Sequence, residues 1–313
     1  MPYNNMISRT DAAALIPEDA AGEIVQGIPA NSASLSLFRQ VRMSRAQQRI
    51  PVISVLPTAY WVNGDTGLKQ SSEVNWTNKY LNAEELAVLV PIPENVLDDT
   101  DFDVWGEIRP RVQEAIGAAL DAAILFGVNA PASWTGANIV QKAIDASNNY
   151  DSGSVGGKDL ADETNTVMGL VEADGFVPNG WAADPSLKAS LRGLRSTATG
   201  DLLYVPGLTS AAPGTLYGET ILYVNNGSWD NTKARAVVGD WRQGIIGVRK
   251  DMTYKVLDQA VIQDNTGAII YNLAQQDMVA LRLTCRFAFE VPNPVNRLNT
   301  NNANRYPFAV LQP

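Results

Sequence analysis

The chain has 313 residues, of which 45% are hydrophobic and 18% charged, with a net charge of −9 and a pI near 4.6. These values describe a folded protein with a real core and room for about two domains, and a poor sequence-independent nucleic-acid binder, because phosphate contacts come from Lys and Arg. The absence of histidine removes the commonest general base, the Ser-His-Asp and Cys-His arrangements and His-rich metal sites, and the single cysteine, Cys285, excludes an intrachain disulfide and fits a reducing cytoplasm.

Residues 1–35 are small, polar and Ala-rich, with Pro17 and Pro29 as breakers. They read as an extended arm with one helical turn near Ala20–Gln26, a kind of segment that becomes ordered by lying on something else. Arg9 is the single basic residue before residue 30 and no continuous apolar core follows it, so no signal peptide is read. No run of ~18 apolar residues occurs, so no membrane span is expected. Residues 35–50 hold Arg39, Arg42, Arg45 and Arg49. This is either a solvated or salt-bridged strand face, or a contact for an acidic neighbouring subunit or nucleic acid.

Val52 to Val62 reads as a strand ending at Asn63-Gly64, a strong turn signal. The polar stretch Gly64–Glu73, with Asp65 and Lys69, forms the tip, and a return strand runs from about Val74 into Glu84–Ile92. A hairpin of this length has little core beneath it and needs a partner to hold it still. Trp61 and Trp76 flank it, suited to packing across the strands or to stacking on bases. Glu84 and Glu85 are adjacent on a strand, so they point opposite ways and do not form an acid–base pair.

Pro93-Glu94 opens a short helix ending at Asp98-Asp99. Asp103 to Phe126 follows as the best helix in the chain, its apolar stripe running through Trp105, Ile108, Val112, Ile116, Ala119, Leu120, Ala123 and Ile124. Gly127 suits its stop, and Pro110 should kink it or mark its true start. About 20 residues of helix would run ~30 Å. Asp98, Asp99, Asp101 and Asp103 could bind a divalent cation, but capping and the helix dipole account for them more simply, and no metal or cofactor is expected.

Residues 129–158 read as a loop-rich connection. The run SGSVGGKD at 152–159 fails the phosphate-loop spacing, with Ser152 and Asp159 where Gly and Ser or Thr are required. Asp159–Ala173 is an amphipathic helix that stops at Gly175, and Asp184–Arg195 is another, with Asp184 as N-cap and Pro185 in the first turn. Thr197–Gly214 is a breaker-rich loop. Leu216–Asn225 and Ala234–Val238 read as strands, Gly244–Leu257 as a strand and turn, and Ile269–Leu273 as the lead into the final long strand. Finally, Val279, Leu281, Leu283, Cys285, Phe287, Phe289 and Val291 alternate with Ala280, Arg282, Thr284, Arg286, Ala288 and Glu290. Period two puts the two sets on opposite faces of one strand ~43 Å long, which suits a flat subunit better than a compact globule. Cys285 stands in the apolar row, where a buried thiol packs as a small hydrophobe.

In their order and spacing these elements resemble the major capsid proteins of tailed bacteriophages, the Hong Kong 97 type. LAVLVPIPENVLDD and ALDAAILFG are similar to that family's strand and spine helix, GFVPNGWAADPSLKASLRGLRSTATGDLLYV to its inserted axial region, TLYGETILYVNNG and VVGDWRQGIIGVRKDMTYKVLD to its later strands, and VALRLTCRFAFEVPNP to its closing strand. The resemblance covers roughly residues 35–295. It implies an α+β fold with an N-terminal arm (1–50), an extended hairpin (51–82) and a peripheral domain (83–154 and 241–295) with a spine helix at 103–126. An axial α/β domain (155–240) and a C-terminal tail (296–313) complete it.

The resemblance further implies a shell of hexamers and pentamers enclosing double-stranded DNA without sequence-specific binding. A portal, a separate scaffolding protein, a virion location and assembly in the bacterial cytoplasm would go with it. Inter-subunit contacts would come from the hairpin tip (Asn63, Gly64, Asp65, Lys69, Glu73) and the basic arm (Arg39, Arg42, Arg45, Arg49). A crosslink from Lys69 to Asn293 or Asn296 is a further implication. The alternatives are an encapsulin-like nanocompartment with the same fold and a soluble two-domain enzyme, for which no convergent titratable cluster is evident.

Overall fold

The computed structural model describes residues 32–62, 67–98, 104–154, 159–194 and 214–313. The turn expected at residues 20–26, the tip residues Asn63, Gly64 and Asp65, the acids Asp99, Asp101 and Asp103, residues 155–158 of the Gly-rich run and nearly all of the 197–214 loop lie outside the described residues.

The chain enters through a short helix, α1 (Ala33–Leu37), and an edge strand, β1 (Arg39–Arg42), before the hairpin strands β2 (Gln47–Val55) and β3 (Asn75–Asn82). Next come β4 (Glu84–Pro93), α2 (Glu94–Asp98) and the spine helix α3 (Val104–Phe126). The middle of the chain supplies α4 (Ile139–Asp145), β5 (Asn149–Asp151), α5 (Leu160–Ala173), β6 (Gly180–Ala183), α6 (Leu187–Gly193), β7 (Thr215–Leu216), β8 (Glu219–Tyr223) and β9 (Ala236–Gly239). The last part contains β10 (Ile245–Leu257), β11 (Val261–Gln263), β12 (Ile269–Asn272), β13 (Met278–Glu290) and β14 (Phe308–Gln312).

Two sheets organise these elements. One has the order β1-β10-β13-β4, with β13 antiparallel to both long neighbours. Its inner face presents Leu283, Cys285, Phe287 and Phe289 to the spine-helix stripe of Val112, Ile116, Leu120, Ala123 and Ile124, a helix period meeting a strand period over one core. The other sheet has the order β5-β14-β9-β6-β8-β7 and buries Val167 and Val171 of α5 and Leu187 and Leu191 of α6. The hairpin β2-β3 is a separate two-stranded ribbon.

Several elements differ from the sequence reading, each for a local reason. β2 stops at Val55 rather than reaching Val62, just before Pro57, which has no N–H to donate to a ladder. The return strand is not continuous: the chain breaks at Ala83, whose N–H donates to Ala46 O at 2.8 Å, and β3 and β4 enter different sheets. The spine helix begins six residues before Pro110 and runs through it, so Pro110 does not mark the start. Asp184 does not cap α6. Its carboxylate accepts from Ser186 N at 2.7 Å in a turn, and the helix starts at Leu187. Asp159 does cap α5, accepting from Ala161 N and Asp162 N at 3.0 Å each.

Both α4 and β14 went unread in the sequence. β14 pairs with β5 and β9 and buries Phe308 and Val310 in one core and Ala309 and Leu311 in the other, so both its faces are covered and it shows no alternation.

Candidate assembly surfaces

Beyond its base the hairpin has no apolar core of its own, and its stem is tied to the subunit by two polar bonds, Val295 N donating to Ile53 O at 3.4 Å and Arg297 Nη2 to Pro57 O at 2.8 Å. Trp61 is 98% exposed, Leu68 90% and Trp76 64%, and Lys69 and Glu73 are exposed as well. Trp76 stands opposite Ile53 across the strands, whereas Trp61 lies beyond the last paired residues. What keeps the ribbon together near its tip is polar, with Thr58 N donating to Ser72 Oγ at 2.8 Å and Tyr60 Oη to Gln70 O at 2.7 Å. A stem of polar bonds carrying bare aromatic side chains is costly in water and becomes favourable when another surface covers it.

The base of the hairpin is held firmly. Leu81 and Ala83 pack with Met43 on Ala288, covering the outer face of β13 near its C-terminal end. Beside them Glu290, 1% exposed, accepts from Thr135 Oγ1 at 2.6 Å and faces the Lys79 ammonium of β3 at 3.4 Å. Burial lowers the pKa of nearby Lys142. The repulsion of Lys79 adds to that, while the attraction of Glu290 and Asp145 opposes it. This buried carboxylate fixes where the ribbon leaves the body of the subunit.

A second anchor lies where the described chain begins. Asp121 on the spine helix is fully buried and accepts from Ser32 Oγ at 2.8 Å, Ala33 N at 2.9 Å, Ser34 N at 2.8 Å and Asn226 Nδ2 at 2.7 Å. It thus satisfies the free N–H groups at the start of α1 and ties the entering segment to both the spine and the loop after β8. Nothing in the sequence marked this residue; an aspartate inside an apolar helical stripe was the available signal.

The four arginines are exposed. Arg39 and Arg42 lie on β1, which runs parallel to β10, and Arg42 pairs with Asp251 at 3.5 Å; Arg45 and Arg49 follow in the turn and in β2. Asn293 and Asn296 are turned into their own chain: Asn293 Nδ2 donates to Arg305 O at 2.7 Å and Asn296 Nδ2 to Asp174 O at 2.6 Å. Cys285 is buried, donates to Leu86 O at 3.5 Å, and has its thiol pKa pushed up to about 12, mainly by burial and then by Glu85. Among the described residues no three acids or cysteines gather as a metal site, and no helix is long and apolar enough to cross a membrane.

An α+β subunit with a long spine helix on a long sheet, a second mixed sheet and a bare projecting ribbon is the Hong Kong 97-type shell subunit. The phage capsid family model matches residues 12–296, and the chain belongs to that family. Its structure is similar to one from Microbacterium phage Oxtober96, with 38% identity, 99% of this chain and 100% of the other covered and a TM-score of 0.80. A structure from Mycobacterium phage Cain matches with 33% identity, 99% of each chain covered and a TM-score of 0.79. In sequence it is 26% identical over 271 residues to the major capsid protein of Staphylococcus phage 80alpha, spanning 86% of this chain and 79% of that one. The function is that of a tailed-phage major capsid protein, and none of these similarities is to a nanocompartment or an enzyme.

Proposed function

We propose that copies of this chain assemble through the hairpin and the N-terminal segment into an icosahedral shell of hexamers and pentamers around double-stranded DNA. The observation that carries this is the ribbon, whose base is anchored on β13 while its tip exposes Trp61 and Leu68. Repeated by symmetry, many such contacts give one closed container. In this reading residues 83–154 and 241–295 form the peripheral part, 155–240 the axial part converging on the symmetry axes, and 1–50 and 51–82 the arm and hairpin, while 296–313, expected as a tail, returns as β14 into the sheet of β6, β8 and β9. Arg39, Arg42, Arg45 and Arg49, with the tip residues Asn63, Gly64, Asp65, Lys69 and Glu73, meet neighbouring copies. A separate scaffolding protein guides assembly in the host cytoplasm, a portal fills one vertex, and no catalysis is involved.

Deletion of residues 64–73 tests the role of the hairpin. The expected product is a folded subunit that forms no shells, and normal shells would refute the assignment. A bond from Lys69 to Asn293 or Asn296 requires the amide to leave its present partner. A covalent ladder on a denaturing gel would establish it, and a single band at 33.8 kDa would end it.

A further inference from the structure

Between the spine helix and the start of β4 lies an apolar groove of about 270 Å³, walled by Leu86, Leu120, Ala123, Val128, Trp134 and Phe287. Glu84 and Glu85 stand at its edge. The Trp134 indole N–H is already used, donating to Asn82 O at 2.9 Å, and one Glu84 oxygen accepts from Ser133 Oγ at 2.6 Å. The groove therefore offers an apolar floor and carboxylate oxygens at its rim, complementary to an aromatic side chain that carries its own N–H and lies close to a cation.

The hairpin tip has those properties. Among the described residues Trp61 and Leu68 are the most exposed of the large apolar side chains, and Lys69 follows Leu68 directly. The subunit's own tip does not reach its own groove. The groove opens at Glu84, two residues after the hairpin's last paired residue, whereas Val55, at the far end of the pairing, stands ~26 Å from Gln47 by the strand rise. Trp61 lies further out still. A contact between tip and groove must then join different copies, head to tail. Such a contact closes into a ring when the rotation between copies closes.

We infer that Trp61 of one subunit seats in the Leu120–Trp134 groove of the next, with Lys69 facing Glu84 and Glu85 at its rim. This rests on the shell reading above and gives the hairpin a residue-level receptor. A desolvated tryptophan at the centre of a contact is the usual form of a binding hot spot, so Trp61→Ala lowers assembly at fixed concentration about tenfold or more while leaving the subunit folded.

The decisive test is a Trp61→Cys, Val128→Cys double variant, mildly oxidised after assembly; Cys285 is buried and adds no background. The expected result is a ladder of disulfide-linked dimers and higher oligomers on a non-reducing gel, with each single variant running as monomer. Intact particles yielding monomer alone would overturn the inference and leave the shell reading standing, whereas wild-type protein that never assembles would overturn both. If the double variant does not assemble, hydrogen exchange of wild-type protein decides. Residues 119–129 and the segments flanking Trp61 and Leu68 must both gain protection on assembly. Protection of the groove without the tip means another occupant, such as the N-terminal segment, and refutes the inference, as does no change in either.

Discussion

Replacing Asp121 by asparagine tests how the entering segment is fastened to the spine. The side chains are nearly isosteric, so no cavity forms, but one carboxylate oxygen becomes an N–H₂ donor facing donors. If Oδ2 is lost, Ala33 N and Asn226 Nδ2 lose their acceptor. If Oδ1 is lost, Ser34 N and Ser32 Oγ do, and only the hydroxyl can turn to accept. In either arrangement one buried backbone N–H is orphaned and a second bond is weakened or lost. With hydrogen bonds to charged groups contributing ~1.5–3 kcal/mol each, the total loss is ~2–4 kcal/mol. Urea unfolding of unassembled subunits reads this directly as a lower midpoint with unchanged slope. Amide exchange at Ala33 and Ser34 should rise in parallel. A loss below ~1 kcal/mol for Asp121→Asn would show that solvent or rearrangement satisfies α1 and would refute the reasoning.

Gly136→Ala and Gly169→Ala should move stability in opposite directions. A Cβ at Gly136 would lie 2.6 Å from Val291 N and 2.7 Å from Glu290 Cα, backbone atoms that cannot yield, so a loss of ~2–3 kcal/mol is expected. At Gly169, inside α5, a Cβ meets nothing within 4 Å, and the lower entropy of the unfolded chain should add ~0.5–1 kcal/mol. Phe289→Ala empties a fully buried site whose ring meets Phe38 edge-on at 5.2 Å, and should cost ~3–5 kcal/mol in the same unfolding assay. Cys285 should resist alkylation until the protein is unfolded. Because its folded pKa is raised from 9.0 to about 12, its contribution to stability is complete below pH 9 and fades as pH climbs towards 12. Wild type should therefore lose stability between pH 8 and pH 10 faster than Cys285→Ala, and parallel declines would contradict this.

Much of the fold could be read from residue periodicity. The Val112–Ile124 stripe, the Asp159–Ala173 helix and the alternation from Val279 to Val291 each depend on local chemistry, and each lies where it was expected. Other features depend on what covers a segment, which no local pattern records. Ala288 and Glu290 stand on the face of β13 read as outer, yet both are buried because the hairpin base folds over that end. β14 follows the Asn-rich run at 299–302 that reads as a tail, but buried Arg305 binds Asn293 O at 3.1 Å and Asn299 O at 2.9 Å and steers the chain back between β5 and β9. α4 was hidden because its cap, Asn138, sits in a left-handed conformation within a stretch dominated by loop residues. Of the assembly surfaces, the bare tip was legible from its polarity and turn signals. The groove was not, because its walls come from three separate parts of the chain.

Electron microscopy of the purified protein across salt and protein concentration tests the account most directly. The expected result is closed shells of uniform size in which the segments beside Trp61 and Leu68 are ordered against a neighbouring copy. A population that stays monomeric under every condition would contradict it.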